Sequence, residues 1–212
     1  METTHSGDAL LIVDVQNDFC PGGALPVREG DAVVPLINRI SKLFSVVGAT
    51  QDWHPLGHMS FASTYPGKKP YDTVPWQGTE QVLWPDHCVQ GTFGADFHPD
   101  LDTRALRFVV RKGWRPSIDS YSGFLENDHR TPTGLAGLLR ELGVMRVFIA
   151  GLTTDYCVRT TAVDGLDAGF RVTVLLDACR GVDVPAGNVK SALEELRSKG
   201  AAVLVSSDLR AA

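Results

Sequence analysis

Val147-Phe148-Ile149-Ala150-Gly151-Leu152-Thr153-Thr154-Asp155-Tyr156-Cys157-Val158 reads as a strand that breaks at a glycine and runs on into a helix. A buried strand ending this way delivers the first helical residues to the carboxyl edge of a sheet. The Cys157 thiol would then sit near unpaired backbone N–H groups and the positive end of the helix dipole. Such surroundings can lower a cysteine pKa from roughly 8.5 into the range of about 3.5–7.5, making a usable thiolate. Cys157 is therefore a candidate nucleophile, its plainer alternative being a small apolar plug between helix and sheet.

Outward from this stretch the same alternation recurs. Apolar, β-branched runs predict strands at residues 9–13, 45–51, 106–111, 146–150, 171–176 and 202–205. Helical periodicity predicts helices at 31–44, 133–142, 154–168 and 185–199, with Gly143, Gly169 and Gly200 placed as left-handed caps after three of them. Strand–helix alternation of this kind implies an α/β fold: a doubly wound, mainly parallel six-stranded sheet with helices on both faces. The chain of 212 residues, 43% hydrophobic, suits a single domain with a substantial core, and residues 1–212 are read as that one domain.

Composition removes several functions. The net charge is −5, and Lys and Arg form no basic stripe, which excludes a nucleic-acid surface. No apolar run is long enough to cross a bilayer, so no membrane partner is expected. The opening Met1-Glu2-Thr3-Thr4-His5-Ser6-Gly7-Asp8 lacks the order of a signal peptide. Cysteines 20, 88, 157 and 179 are scattered without a C-x-x-C pair, which points to reduced thiols and a cytoplasmic location.

Residues 52–103 break the rhythm. This stretch is rich in Pro, Gly and aromatics, and it holds Trp53, Trp76 and Trp84 with His54, His58, His87 and His98. Long irregular segments inside compact domains are usually functional, and a disordered linker would not be so aromatic. It is read as an ordered excursion that walls a pocket.

Ligands of open α/β sheets bind beyond the carboxyl ends of the strands. The first polar residues after successive strands are Asp14, then Asp52-Trp53-His54, then Lys112, and beyond the fourth strand Cys157. Each has a plain alternative, Asp14 as a turn cap and Lys112 as a solvated strand-end charge. Together they describe acyl transfer through a thioester. An aspartate takes the thiol proton, a lysine keeps that aspartate ionised, and the backbone N–H groups of Thr153 and Cys157 hold an oxyanion. Asp52, His54, His58 and His87 offer one carboxylate and up to three imidazoles, suited to zinc, ferrous iron or manganese. Pro55 and Gly57 make a helical metal motif improbable, so these ligands would come from a loop.

With those residues assembled, the chain resembles the nicotinamidase (pyrazinamidase) branch of the isochorismatase-like cysteine hydrolase family. The matching segments are residues 11–25, Gln51-Asp52-Trp53-His54-Pro55, Trp84-Pro85-Asp86-His87-Cys88-Val89-Gln90-Gly91-Thr92, Lys112-Gly113, Asp119-Ser120-Tyr121-Ser122-Gly123-Phe124 and Thr154-Asp155-Tyr156-Cys157-Val158. The resemblance implies an isochorismatase-like fold and a triad of Asp14 (base), Lys112 and Cys157 (nucleophile). It implies one divalent metal ion on Asp52, His54 and His87, zinc first, with His58 a ligand in only some members. Phe19, Trp84 and Tyr121 match positions around a pyridine ring. Nicotinamide and pyrazinamide are the implied substrates, and both monomers and homo-oligomers occur in the family. A cis peptide is implied at Leu152–Thr153, where related bacterial chains usually carry Ala in place of Thr153. Two rivals stand beside this reading: another amide or vinyl-ether hydrolase on the same scaffold, and a non-catalytic nucleotide sensor. The sensor is disfavoured because no G-x-G-x-x-G follows the first strand.

Overall fold

The computed structural model describes residues 1–211. In chain order its strands and α-helices are β1 (Glu2–Thr4), β2 (Asp8–Val13), α1 (Val33–Ile40), β3 (Val46–Asp52), β4 (Thr73–Trp76), β5 (Thr79–Val82), β6 (Phe108–Lys112), α2 (Leu135–Glu141), β7 (Arg146–Leu152), α3 (Arg159–Asp167), β8 (Arg171–Arg180), α4 (Asn188–Ser198), β9 (Ala202–Leu204) and β10 (Leu209–Ala211). Six of the strands form one sheet in the order β6-β3-β2-β7-β8-β9, every pair of neighbours parallel. This is the doubly wound, parallel six-stranded α/β architecture that the strand and helix pattern predicts.

Period two decides which residues face which layer. Leu10 and Ile12 of β2, with Phe148 and Ala150 of β7, pack on one side against Val33, Ile37 and Ile40 of α1. Their alternates Ala9, Leu11, Val13, Val147 and Ile149 pack on the other side against Leu135 and Leu139 of α2, Ala162 of α3 and Leu196 of α4. Both faces are thus covered, which explains why β2 and β7 are continuous apolar runs without polar alternation. Each Val, Leu, Ile or Phe side chain among them contributes about 1.5–3 kcal/mol of transfer free energy.

The chain runs outward from β2 through β3 to β6, then returns to the opposite side of β2 and runs outward again from β7 to β9. The reversal lies between β2 and β7, and a crevice beyond the carboxyl ends of strands at such a reversal is where open sheets bind ligands. Gly151 occupies this point with φ +124, and a Cβ there would overlap the Val13 backbone. Only glycine lets the two central strands stay this close.

Local differences from the predicted elements have physical causes. The helix expected at 154–168 begins as a π-helical turn at Thr154–Val158, and Val158 N–H donates to Thr153 O at 3.0 Å. β8 extends to Arg180 past a register shift opposite Ile149 and Gly151. Within 52–103 lies an antiparallel hairpin, β4 with β5. A further parallel pair joins β1 to β10. These four short strands mix polar residues or proline with few apolar ones, so they lack the unbroken apolar run that marks the equally short β9.

Candidate active site

The strand order sets Lys112, Asp52, Asp14 and the β7 terminus side by side, because each ends a neighbouring strand. Asp14 leaves β2 with φ +48, a left-handed turn that directs the chain away from the sheet. Gln16 ties the ends of β2 and β3 together: its amide donates to Asp52 O at 2.8 Å, and Asp52 N–H donates to Gln16 Oε1 at 2.8 Å.

One ammonium organises the centre. Lys112 is fully buried, and its Nζ lies 2.9 Å from Asp14 Oδ2 and 2.5 Å from Asp52 Oδ1. It also donates to Ser120 O at 2.9 Å and lies 3.5 Å from Cys157 Sγ. Thr50 donates to Asp14 Oδ1 at 2.7 Å. Donor atoms of Asp14, Asp52 and Cys157 all fall within 4.8 Å of one another. Segments up to 143 residues apart in sequence, Asp14 to Cys157, therefore meet at hydrogen-bonding range.

Burial shapes the charges. It pushes the Asp14 carboxyl up to about 6 against the pull of Lys112. Burial would also raise Asp52, but Lys112 and His54 outweigh it and hold that carboxyl well below its usual range. The Cys157 thiol is pushed up, first by burial and then by the two carboxylates, with Lys112 opposing. This corrects the expectation of a lowered thiol pKa: two nearby negative charges and the loss of water outweigh the helix terminus. The resting pair is a neutral thiol beside a carboxylate raised toward neutrality.

Asp52, His54 and His87 present donor atoms within 4.8 Å of one another. His54 Nδ1 lies 2.9 Å from Gly113 O, and His87 Nδ1 lies 2.8 Å from Pro85 O. A carbonyl can only accept, so each Nδ1 carries a proton and each Nε2 turns toward Asp52 Oδ2, at 3.6 and 3.8 Å. Such carbonyl anchoring of the far nitrogen is the usual second shell of a metal-binding imidazole. Gly113 is required here, since with φ +63 a Cβ would strike the His54 ring. His87 is pushed down to about 4 by burial and by His54. Burial opposes charge on His54 too, but Asp52 outweighs it and raises the imidazole. The donor set fits a divalent cation.

His58 stands differently. Its Nδ1 meets Ser60 Oγ at 2.8 Å, and its Nε2 meets Arg115 O at 2.9 Å. Both nitrogens are engaged, and the ring lies 4.4 Å from that of His54 at 30°. As placed, its ring lies tilted against that of His54, and its donor atoms group with those of His54 and Asp119, within 4.8 Å of one another, apart from the cluster of Asp52, His54 and His87.

A pocket opens beside Cys157, lined by Phe19, Trp84, Tyr121 and Thr153 and floored by Asp52, His54 and His87. Trp84 and Tyr156 meet edge-to-face at 4.9 Å, and Trp84 Nε1 donates to Tyr121 Oη at 3.0 Å. These contacts hold an aromatic wall beside Cys157. The Leu152–Thr153 peptide is cis. Sequence reasoning gave no role to Gln16, Thr50, Asp119 or Tyr156, although all but Thr50 lie inside the quoted motifs. Asp119 lines the pocket and accepts from Gln81 Nε2 at 2.8 Å.

Comparison with known proteins follows the same lines. The profile of the Isochorismatase domain family matches residues 8–208. A nicotinamidase of Acinetobacter baylyi is 47% identical over 192 residues, which cover 91% of this chain and 89% of that protein. A nicotinamidase pyrazinamidase of Acinetobacter baumanii superposes with a TM-score of 0.95 at 45% identity, covering 97% of this chain and 99% of that one. PnC1 of L. infantum, solved in complex with nicotinate, gives a TM-score of 0.88 at 40% identity over 100% and 99% of the two chains. The pyrazinamidase of Pyrococcus horikoshii in complex with zinc gives 0.77 at 40% identity, covering 94% and 99%.

Proposed function

The chain belongs to the isochorismatase family, and from that premise we propose that it hydrolyses nicotinamide to nicotinate and ammonia, in service of NAD salvage. Pyrazinamide, with the same carboxamide on a similar ring, is a second substrate. The observation that carries this reading is the Lys112 ammonium touching Asp14, Asp52 and Cys157 at once.

The chemistry runs as follows. Asp14 takes the Cys157 thiol proton as Sγ bonds to the amide carbon, and the carbonyl π pair moves onto oxygen. The Thr153 and Cys157 backbone N–H groups hold that oxyanion. As the oxyanion collapses, the C–N bond breaks and the proton on Asp14 passes to the departing nitrogen, which leaves as ammonia. Water then adds to the thioester and gives a proton to Asp14. The C–S bond breaks, the thiolate recovers that proton, and the carboxylic acid gives its own proton to solvent and departs as nicotinate. Lys112 keeps its charge throughout and offsets the negative charge shared by Asp14 and sulfur. Concerted transfer suits a thiol held above its ordinary pKa beside a carboxylate near 6.

Asp52, His54 and His87 would hold one divalent metal ion, zinc in the first instance, with iron or manganese as alternatives. Such an ion supplies a fixed positive charge and an open coordination position at the floor of the pocket. His58 supports His54 by stacking. Phe19, Trp84 and Tyr121 orient the ring, its carboxamide toward Cys157. The four cysteines are buried and unpaired among the described residues, in keeping with a cytoplasmic location.

Ammonia release from nicotinamide by the purified protein, run with elemental analysis, tests both halves. Turnover with about one metal per chain is expected. No ammonia from any pyridine carboxamide would end the proposal.

A further inference from the structure

The Thr153 side chain is 3% exposed, and its Oγ1 is buried with no hydrogen-bond partner. It lines the same pocket as Cys157. Most other polar groups of that pocket are engaged. Tyr121 Oη accepts from Trp84 and Gln81, at 3.0 and 3.3 Å. Tyr156 Oη donates to Val184 O at 2.8 Å. Asp119 accepts from Gln81 and from the Ser120 N–H, both at 2.8 Å. Asp52, His54 and His87 face one another. Among the described residues that line the pocket, Thr153 alone keeps a fully buried side-chain oxygen without a hydrogen-bond partner.

A buried hydroxyl left unpaired is costly and calls for an explanation. It does not serve packing alone, since a methyl would fill the same space without the penalty. It also does not bond back to the turn that follows, because the Tyr156 and Val158 N–H groups are taken by the Thr153 carbonyl, at 3.2 and 3.0 Å. Its missing partner is therefore supplied by whatever enters the pocket. The group that a bound pyridine carboxamide brings next to Cys157 is the carboxamide itself, while its ring lies among apolar walls.

We propose that the Thr153 hydroxyl is a third donor to the carboxamide oxygen, joining the Thr153 and Cys157 backbone N–H groups as charge develops there. The proposal rests on the amidase reading above. A neutral hydroxyl donor gains most when its acceptor is charged, so the bond strengthens between bound substrate and tetrahedral intermediate. Its effect falls on kcat more than on KM. The same donor discriminates among ligands, because a planar apolar ring without a carbonyl at that place leaves the hydroxyl unpaired.

The test compares wild type with Thr153→Val, Thr153→Ala and Thr153→Ser by nicotinamide kinetics and by inhibition with nicotinaldehyde. That aldehyde adds to a cysteine thiol to give a tetrahedral thiohemiacetal whose oxygen occupies the oxyanion position. Thr153→Val keeps the shape and removes the donor: kcat is expected to fall about tenfold or more, KM to stay within about threefold, and nicotinaldehyde to bind about tenfold more weakly. Thr153→Ser is expected to recover most of both losses. A Thr153→Val enzyme with wild-type kcat and wild-type aldehyde affinity would overturn the proposal. So would a Thr153→Ser enzyme as impaired as Thr153→Val, since the site would then need the methyl and not the hydroxyl. Wild type that releases no ammonia overturns the amidase reading beneath it, a separate result from either of these.

Discussion

The two ends of the central strands carry the same kinds of charge arranged to opposite effect. At the amino ends of β2 and β7, Arg146 donates to both Asp8 oxygens, to Thr3 O and to Glu2. The guanidinium fork has a partner for each direction, and although burial would raise Asp8, Arg146 holds its carboxyl below the usual value. At the carboxyl ends, one lysine faces two carboxylates and a thiol. Its single charge cannot satisfy all three, so burial wins at Asp14 and at Cys157. Saturated pairing makes a clasp, whereas shared pairing leaves a proton that can move. That difference separates structure from chemistry within one pair of strands.

The sharpest way to break the comparison is Cys157→Ala. Ammonia release is expected to fall by about 10⁴-fold or more, as when a nucleophile is removed from a triad, with metal content and melting temperature nearly unchanged. Asp14→Asn removes the base while keeping the shape, and kcat should drop by about 10²–10⁴-fold. Equal loss from both ends of the sheet would contradict the division of labour.

Acidity probes the shared charge directly. Asp14 must be ionised to accept the thiol proton and titrates near 6. In the free enzyme kcat/KM should therefore fall about tenfold per pH unit below that point. Asp8 behaves oppositely in stability. Its folded pKa is depressed, so its contribution is present above the ordinary carboxylate value and lost as the pH falls through the folded value. A pH profile flat down to 5 would remove Asp14 from the role of base.

Arg146→Ala tests the clasp. It leaves the buried Asp8 carboxylate without its cation and with only the His5 N–H, and a loss of about 3 kcal/mol in chemical denaturation is expected, with kcat within about twofold of wild type. The smallest effect is expected at His58. His58→Gln should retain about one metal per chain, while His87→Ala loses it. Metal loss in both would return His58 to the ligand set.

Much of this was legible in the order of residues. The apolar period of β2, β3, β7 and β8, and the Gly143, Gly169 and Gly200 caps with φ +71, +89 and +94, announce a parallel sheet. Asp14, Asp52 and Lys112 announce themselves as polar residues where apolar strands end, and Cys157 as the thiol in the turn that follows β7. The hairpin β4–β5 and the pair β1–β10 escaped because these short strands are interrupted by polar residues or proline, whereas the equally short β9 is an unbroken apolar run. Thr50 and Gln16 escaped because bracing residues look like any other polar side chain until their partners are adjacent.

By itself the sequence determined which chemical groups reach the carboxyl edge, since burial periodicity is a local property of the chain. Tertiary structure alone decided what those groups are: a thiol pushed up instead of down, a histidine with both ring nitrogens hydrogen-bonded, a threonine hydroxyl left without a partner. Proton affinity and hydrogen-bond satisfaction depend on distances between segments far apart in the chain and on the water excluded between them, and neither quantity is written in any local stretch of residues.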